Sequence, residues 1–348
     1  MSVLEEYLQV RDWLLADGAT GTNLFALGLE QGEAPELWNL NQEERVRAHY
    51  RSFVEAGSDI VLTNTFGGTA NRLKLHGEAE RVKEINHAGA ALLRDEARKA
   101  GRGVLVAGSM GPTGELFTPL GPLTYDMGVD AFAEQAAALA SGGADLLWIE
   151  TISSVEEIRA AVEGAARTGL PIVATLSFDT NGRTMMGITP AEWAELAHEL
   201  PAPLAAYGAN CGTGAAELVA TLLGLAAAAR PGDRLVAKAN CGIPQWIEGA
   251  IRYDGTPDLM ADYARLARDA GASIIGGCCG TTPSHLAAIR RTLAERPRGP
   301  KPSLEEIATA LGSLSNATLA LHGGAAGGPG TEEGGRGRRG RRRRTAPF

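Results

Sequence analysis

Long apolar runs are absent from this chain of 348 residues, and none reaches the length that crosses a bilayer. The opening stretch, MSVLEEYLQVRDW, is acidic and lacks the basic start and apolar centre of a secretory signal. A cytoplasmic protein with no membrane partner is therefore expected. Cysteine is scarce, at four residues: Cys211, Cys241, Cys278 and Cys279. In a reducing compartment so small a set points to metal binding or catalysis, not to disulfides. No Gly-rich dinucleotide fingerprint opens a helix near the start, which argues against a doubly wound nucleotide fold. Positive charge is also short. The net charge is −8, and from Gly323 onward seven Arg face only two Glu, so the rest of the chain is more acidic than the total. An acidic body disfavours nucleic acid as the partner of the main domain.

What is present is apolar residue in quantity, 44% of the chain, with 45 glycines for tight turns. Eight short apolar runs punctuate residues 1–290: Trp13–Gly18, Asp59–Thr65, Val104–Met110, Asp145–Thr151, Pro171–Asp179, Leu204–Cys211, Arg234–Cys241 and Ser273–Cys279. Most are continuous, not alternating, as expected of strands buried on both faces of a parallel sheet. Helix-like segments separate them. In one, Val82, Ile85, Gly89 and Leu92 recur at helical spacing, with Arg81, Lys83, Glu84 and Arg94 opposite. The phrases EAGSD, SGGAD and DAGAS precede three of the strands and form a weak repeat of Gly-capped helix ends. Eight β-then-α units predict a (β/α)8 TIM barrel over residues 1–300. A short helical extension is expected over 301–322, with a helix at Ser303–Leu314. A disordered Gly/Arg-rich tail is expected over 323–348. That tail is read as solvated, with RNA or an acidic surface as the lesser option.

In a TIM barrel the active site lies at the C-terminal ends of the strands. The polar residues collect there: Asp17, Thr63, Asn64, Ser109, Glu150, Asp179, Asn210, Cys211, Asn240, Cys278 and Cys279. The strongest chemical signal is GGCCG, Gly276–Gly280, with ANCGTG, Ala209–Gly214, two strands earlier. Adjacent cysteines rarely bond to each other, because a disulfide between them strains the intervening peptide. With Cys211 they offer three thiolates, a Zn site with one position open, which is the pattern of a catalytic zinc. A substrate thiol in that position becomes a thiolate at neutral pH. Cys241 is the alternative fourth ligand. It would close the site and is read as a packing residue.

These segments resemble a known family. DGATGT (Asp17–Thr22), TNTFGG (Thr63–Gly68), GSMGPTGE (Gly108–Glu115), WIET (Trp148–Thr151), NCGTG (Asn210–Gly214) and GGCCGTTPSH (Gly276–His285) are similar to homocysteine S-methyltransferases. The resemblance runs in order over residues 10–295, and its overall look is that of bacterial single-domain betaine–homocysteine enzymes. It implies Zn²⁺ on Cys211, Cys278 and Cys279, homocysteine as acceptor and methionine as product. It also implies substrate contacts at Asp17, Gly18, Thr63, Glu150 and Asn240. Glu150 can pair with an ammonium, and the amides of the Gly18–Gly21 turn with a carboxylate. For glycine betaine as donor it implies an aromatic cage with Trp38, a cation–π arrangement. Gly67 and Thr151 stand where the betaine enzymes carry Tyr. Phe66, Trp148 and Tyr125 are the substitutes within reach of the reading. No D-x-H-x-x-G cobalamin motif occurs, so a corrinoid or methyltetrahydrofolate donor would need a partner protein. A sulfonium donor (S-methylmethionine or dimethylsulfoniopropionate) is a further alternative, and a non-catalytic zinc–thiolate binding module another. The sequence leaves self-association open.

Overall fold

A strand with helices on one side and a barrel interior on the other has no wet face, so it needs no alternating polar residues. All eight apolar runs become such strands in the computed structural model. It describes residues 3–242, 244–247 and 250–323, with backbone alone for 244–247 and 250–252. The strands are β1 (Leu14–Leu15), β2 (Ile60–Leu62), β3 (Leu105–Met110), β4 (Leu146–Ile152), β5 (Ile172–Leu176), β6 (Ala206–Cys211), β7 (Leu235–Ala239) and β8 (Ala272–Gly277). All pair in parallel, in the order β1-β8-β7-β6-β5-β4-β3-β2. A parallel bridge between Ala16 and Ile60 joins the two ends of that row and closes the barrel. The seam is reinforced by Asp59, whose backbone N–H donates to Leu15 O at 2.7 Å and whose Oδ2 accepts from Leu15 N at 2.9 Å. The expected (β/α)8 TIM barrel is the fold.

One helix follows each strand on the outside: α1 (Glu43–Glu55), α2 (Val82–Lys99), α3 (Tyr125–Ser141), α4 (Val155–Ala166), α5 (Pro190–Leu196), α6 (Ala215–Ala228), α7 (Pro257–Ala270) and α8 (Pro283–Glu295). Their starts are written in the sequence. Thr124, Ser154, Thr189 and Thr256 each accept a hydrogen bond from the backbone N–H three residues on, which satisfies a donor the helix cannot. Val82, Ile85, Gly89 and Leu92 form the buried face of α2, as their spacing requires. In the repeated phrases Gly57, Gly143 and Gly271 have φ of 101°, 100° and 122°, a conformation that turns the chain from helix to strand and disfavours any side chain.

Two cores result. The larger lies between strands and helices. The smaller fills the barrel and includes Ile60, Leu105, Leu146, Trp148, Val173, Val236 and Ile274. Leu4 and Leu8 belong to this inner core, so the helix Val3–Val10, unforeseen in the sequence, corks the N-terminal end of the barrel. The open end is therefore the C-terminal one. An antiparallel hairpin, Pro244–Ile247 with Ala250–Tyr253, is inserted between β7 and α7. After α8, helices Leu304–Leu311 and Asn316–Leu321 lie against α6, where Glu217 accepts hydrogen bonds from Ser315 and Thr318. The Ser303 side chain caps the first of them, which ends at Leu311, short of the expected Leu314. Beyond Gly323 the expected tail lies outside the described residues. Among the described residues no helix is long and apolar enough to cross a membrane.

Candidate active site

Cys211 is the last residue of β6, and Cys278 and Cys279 directly follow β8. With β7 between them the two strand ends lean over one point. The three sulfurs lie within 4.8 Å of one another, with Cys278–Cys211 at 3.4 Å and Cys211–Cys279 at 3.7 Å. A tetrahedral site with Zn–S bonds of about 2.3 Å sets its sulfurs about 3.8 Å apart, so the donor set fits zinc in chemistry and spacing. Cys211 has φ 60° and Thr151, at the end of β4, φ 64°, conformations a side chain adopts at some cost. Asn210 ties the two together. Its Oδ1 accepts from Thr151 N at 2.9 Å and its Nδ2 donates to Thr151 Oγ1 at 2.7 Å. The thiols share their protons: hydrogen bonds from Cys211 and Cys278 hold Cys279 well below the usual thiol range, and the same contacts push Cys211 up.

Cys241 takes no part in this cluster. Its sulfur is buried and donates to Gly255 O at 3.3 Å, while its backbone N–H donates to Cys279 O at 2.9 Å. Asn240 braces the cluster from behind, accepting from Cys279 N at 3.0 Å and donating to Gly212 O at 2.7 Å. Tyr253 also touches it, through a hydrogen bond to Cys279.

The acidic groups stand beside the sulfurs. Glu150 Oε1 accepts from Ser109 Oγ at 2.6 Å, and burial pushes its carboxyl up to about 7, against the pull of Lys238. Asp17 is fully buried. Its Oδ2 accepts from Leu62 N at 2.7 Å and its Oδ1 from Lys238 Nζ at 2.6 Å. Burial acts to lower Lys238, but Asp17 and Glu150 together raise it, so the ammonium is kept. Lys238 sits in β7 within an apolar run, and the sequence reading passed over it. A lysine inside a buried strand was the available signal, because such a residue must be paired.

The other expected residues lie as follows. At Gly18 a Cβ would meet Thr281 O at 2.7 Å and the Phe53 ring at 2.9 Å, so this turn admits no side chain. Of the amides expected to hold a carboxylate, Ala19 N donates instead to Thr281 O at 3.2 Å. The Thr63 hydroxyl accepts from Ser109 N at 2.9 Å and bonds Thr65 Oγ1 at 2.5 Å, which ties β2 to β3. Trp38 is 5% exposed, and the Arg45 guanidinium lies 5.2 Å from its ring centre. Trp148 lies in the barrel interior, and the Tyr125 hydroxyl is committed to Glu163 at 2.7 Å.

Comparison with known proteins places this geometry. The family model described as homocysteine S-methyltransferase matches residues 14–293. The methionine synthases of Mycobacterium tuberculosis and Mycobacterium leprae are 31% and 30% identical over 331 and 324 residues, covering 89% and 88% of this chain. The chain spans only 27% and 26% of their length. The metallated form of the homocysteine methyltransferase MmuM from Escherichia coli superposes with a TM-score of 0.68 at 26% identity, covering 83% of this chain and 99% of that one. Its apo form gives 0.66 at 25%. Since the matched segment runs from β1 to α8 and carries all three clustered cysteines, Asp17 and Glu150, the chain belongs to the homocysteine S-methyltransferase family.

Proposed function

We propose that this chain transfers a methyl group from a cationic donor to the thiol of homocysteine, forming methionine, with glycine betaine as the first candidate donor. The observation that carries the reading is the set of three sulfurs at the ends of β6 and β8, within 4.8 Å of one another and beside a buried carboxylate whose Oε2 has no hydrogen bond among the described residues. Cys211, Cys278 and Cys279 would hold Zn²⁺. When bound, the ion supplies the acidity that keeps a thiol ionised near neutral pH, with a fourth position left for the substrate sulfur.

In this reading homocysteine lies with its thiol against the three cysteines and its ammonium against Glu150, a charge-assisted hydrogen bond. Ser109 fixes the carboxylate by donating to Oε1, which would leave Oε2 for the substrate ammonium. The thiol proton leaves to solvent. The substrate sulfur then forms a bond to the methyl carbon as the donor's bond to that carbon breaks. The donor departs with the bonding pair and loses its positive charge, and betaine would leave as dimethylglycine. Asn210 and Asn240 keep the cysteine loops in register during this exchange. Residues 1–300 would be the catalytic unit, acting in the cytoplasm, with 301–322 an outer support and 323–348 outside the chemistry.

A second donor reading is favoured by one fact, the 31% identity to a protein named methionine synthase. There the methyl group arrives on a corrinoid or methyltetrahydrofolate partner protein. Purified zinc-loaded protein, given homocysteine with betaine, S-methylmethionine, dimethylsulfoniopropionate or methylcobalamin in separate reactions, separates the readings. Methionine with matching dimethylglycine is expected from betaine. Methionine from methylcobalamin alone supports the partner reading, and from a sulfonium alone that class of donor. Absence of methionine in all four overturns homocysteine methylation.

A further inference from the structure

Methyl transfer as written has no need of a buried lysine, and burying an ammonium is costly unless it is paired. Lys238 is 1% exposed, with its Nζ 2.6 Å from Asp17 Oδ1 and 5.3 Å from the centre of the Trp148 ring. It points into the barrel from β7, between the strands that carry the sulfurs. Its charge acts on two carboxyl groups at once, Asp17 and Glu150. The two carboxylates around it are bonded differently. Both oxygens of Asp17 are occupied, one by Lys238 and one by the Leu62 amide. Glu150 is 8% exposed, and among the described residues Ser109 alone bonds it, through Oε1.

We propose that Lys238 is a positioning residue that divides the two carboxylates of the barrel mouth between different tasks: it occupies Asp17, and so leaves Glu150 as the carboxylate that receives a substrate ammonium. The identity of that ammonium rests on the homocysteine reading. Two neighbouring buried carboxylates cannot both stay ionised at little cost, because like charges at short range raise one another. An internal cation removes the conflict by neutralising one of them permanently. Asp17 then serves as the anchor of Lys238, not as a contact to the amino acid. A corollary follows for the lysine itself. If Asp17 loses its charge, Glu150 is the other carboxylate whose charge acts on the ammonium, and Lys238 becomes a competitor of the substrate.

That corollary makes the proposal testable by a cycle of three variants, Asp17→Asn, Lys238→Met and the two combined. Homocysteine binding to zinc-loaded protein is measured by calorimetry, beside 4-mercaptobutyrate, which keeps the thiol and carboxylate and lacks the ammonium. Asp17→Asn is expected to weaken homocysteine by about tenfold, in line with loss of a charged hydrogen bond, and to leave 4-mercaptobutyrate unweakened. Adding Lys238→Met to Asp17→Asn is expected to tighten homocysteine again by about fivefold, because the competing ammonium is gone. A double variant no tighter than Asp17→Asn overturns the proposal and makes Asp17 the direct contact. Weakening of both ligands in Asp17→Asn also overturns it, as the signature of a distorted site. If the parent binds no homocysteine, the functional reading fails on its own. The pairing is then read from melting temperatures: each single variant should melt below the double one, and simple additivity overturns it.

Discussion

Cys241 lies one strand end from Cys279, yet its sulfur is turned away and satisfied by Gly255 O at 3.3 Å. Replacing Cys211, Cys278 or Cys279 singly with Ala should therefore lower the metal content of purified protein, measured by atomic emission, and abolish methionine formation. Cys241→Ala should keep both, and loss of metal in that variant would contradict the three-sulfur site. Glu150 is the other residue with a direct test. Glu150→Gln keeps the size and removes the charge, so homocysteine affinity should fall by roughly 1.5–3 kcal/mol in a calorimetric titration. A value within about twofold of the parent, some 0.4 kcal/mol, would remove Glu150 from the site. These residues were legible in the sequence because rare side chains at strand ends stand out. Lys238 was not, since a single lysine in RLVAKANC does not break the apolar pattern around it. Trp38 was legible as a motif position but not as an environment. Only the fold reveals that its indole is buried with Arg45 over its face.

At the scale of elements, the strands read clearly because mostly apolar runs of six to nine residues between Gly-capped helices have few other uses in a parallel barrel. The helix Val3–Val10 did not read, because two buried leucines four apart in an acidic stretch look like any short amphipathic turn. Its weight can be measured. Leu4→Ala should cost about 2–5 kcal/mol in chemical denaturation, as for a buried Leu in a filled core. Val10→Ala, at a position 82% exposed on the same helix, should change stability by less than about 0.5 kcal/mol. Equal effects would mean that the helix does not cork the barrel. Helix α1 carries a second measurable feature. His49 is buried beside Phe53, its Nε2 has no hydrogen-bond partner among the described residues, and burial lowers its pKa from 6.5 to about 4. The folded state resists protonation and the unfolded chain does not. The His49 contribution is thus intact above pH 6.5, declines as pH falls toward about 4, and is level below that. Between pH 7.5 and pH 5 the parent should lose about 2 kcal/mol more than His49→Leu, measured by urea unfolding at both pH values. Parallel losses in the two proteins would show that another group sets the acid sensitivity.

For the whole molecule, the barrel is closed by pairing each strand with its neighbour, and at the C-terminal end side chains also reach across an intervening strand, as Asn210 does to Thr151 and Lys238 to Asp17. Cys211 comes from β6, Cys278 and Cys279 from β8, and β7 runs between them. An ion shared by the three would join positions 67 residues apart in the chain, across a strand that contributes no ligand. The folded chain presents this constellation and the unfolded chain does not, so metal binding and folding are linked. An ion present at about a thousandfold above its dissociation constant adds about 4 kcal/mol to stability. Stripping the protein with a chelator should then lower its melting temperature by several degrees without substrate present. Restoring zinc should return it, while Cys211→Ala should show neither change. The linkage reaches beyond the test tube. Fractions unfolded govern how fast a protein is cleared in a cell, and a few kcal/mol alter them by orders of magnitude. If the three sulfurs hold an ion, a chain tied in this way would be long-lived when the metal is plentiful and short-lived when it is scarce, so its abundance would rise and fall with metal supply before any rate of the proposed methyl transfer is affected.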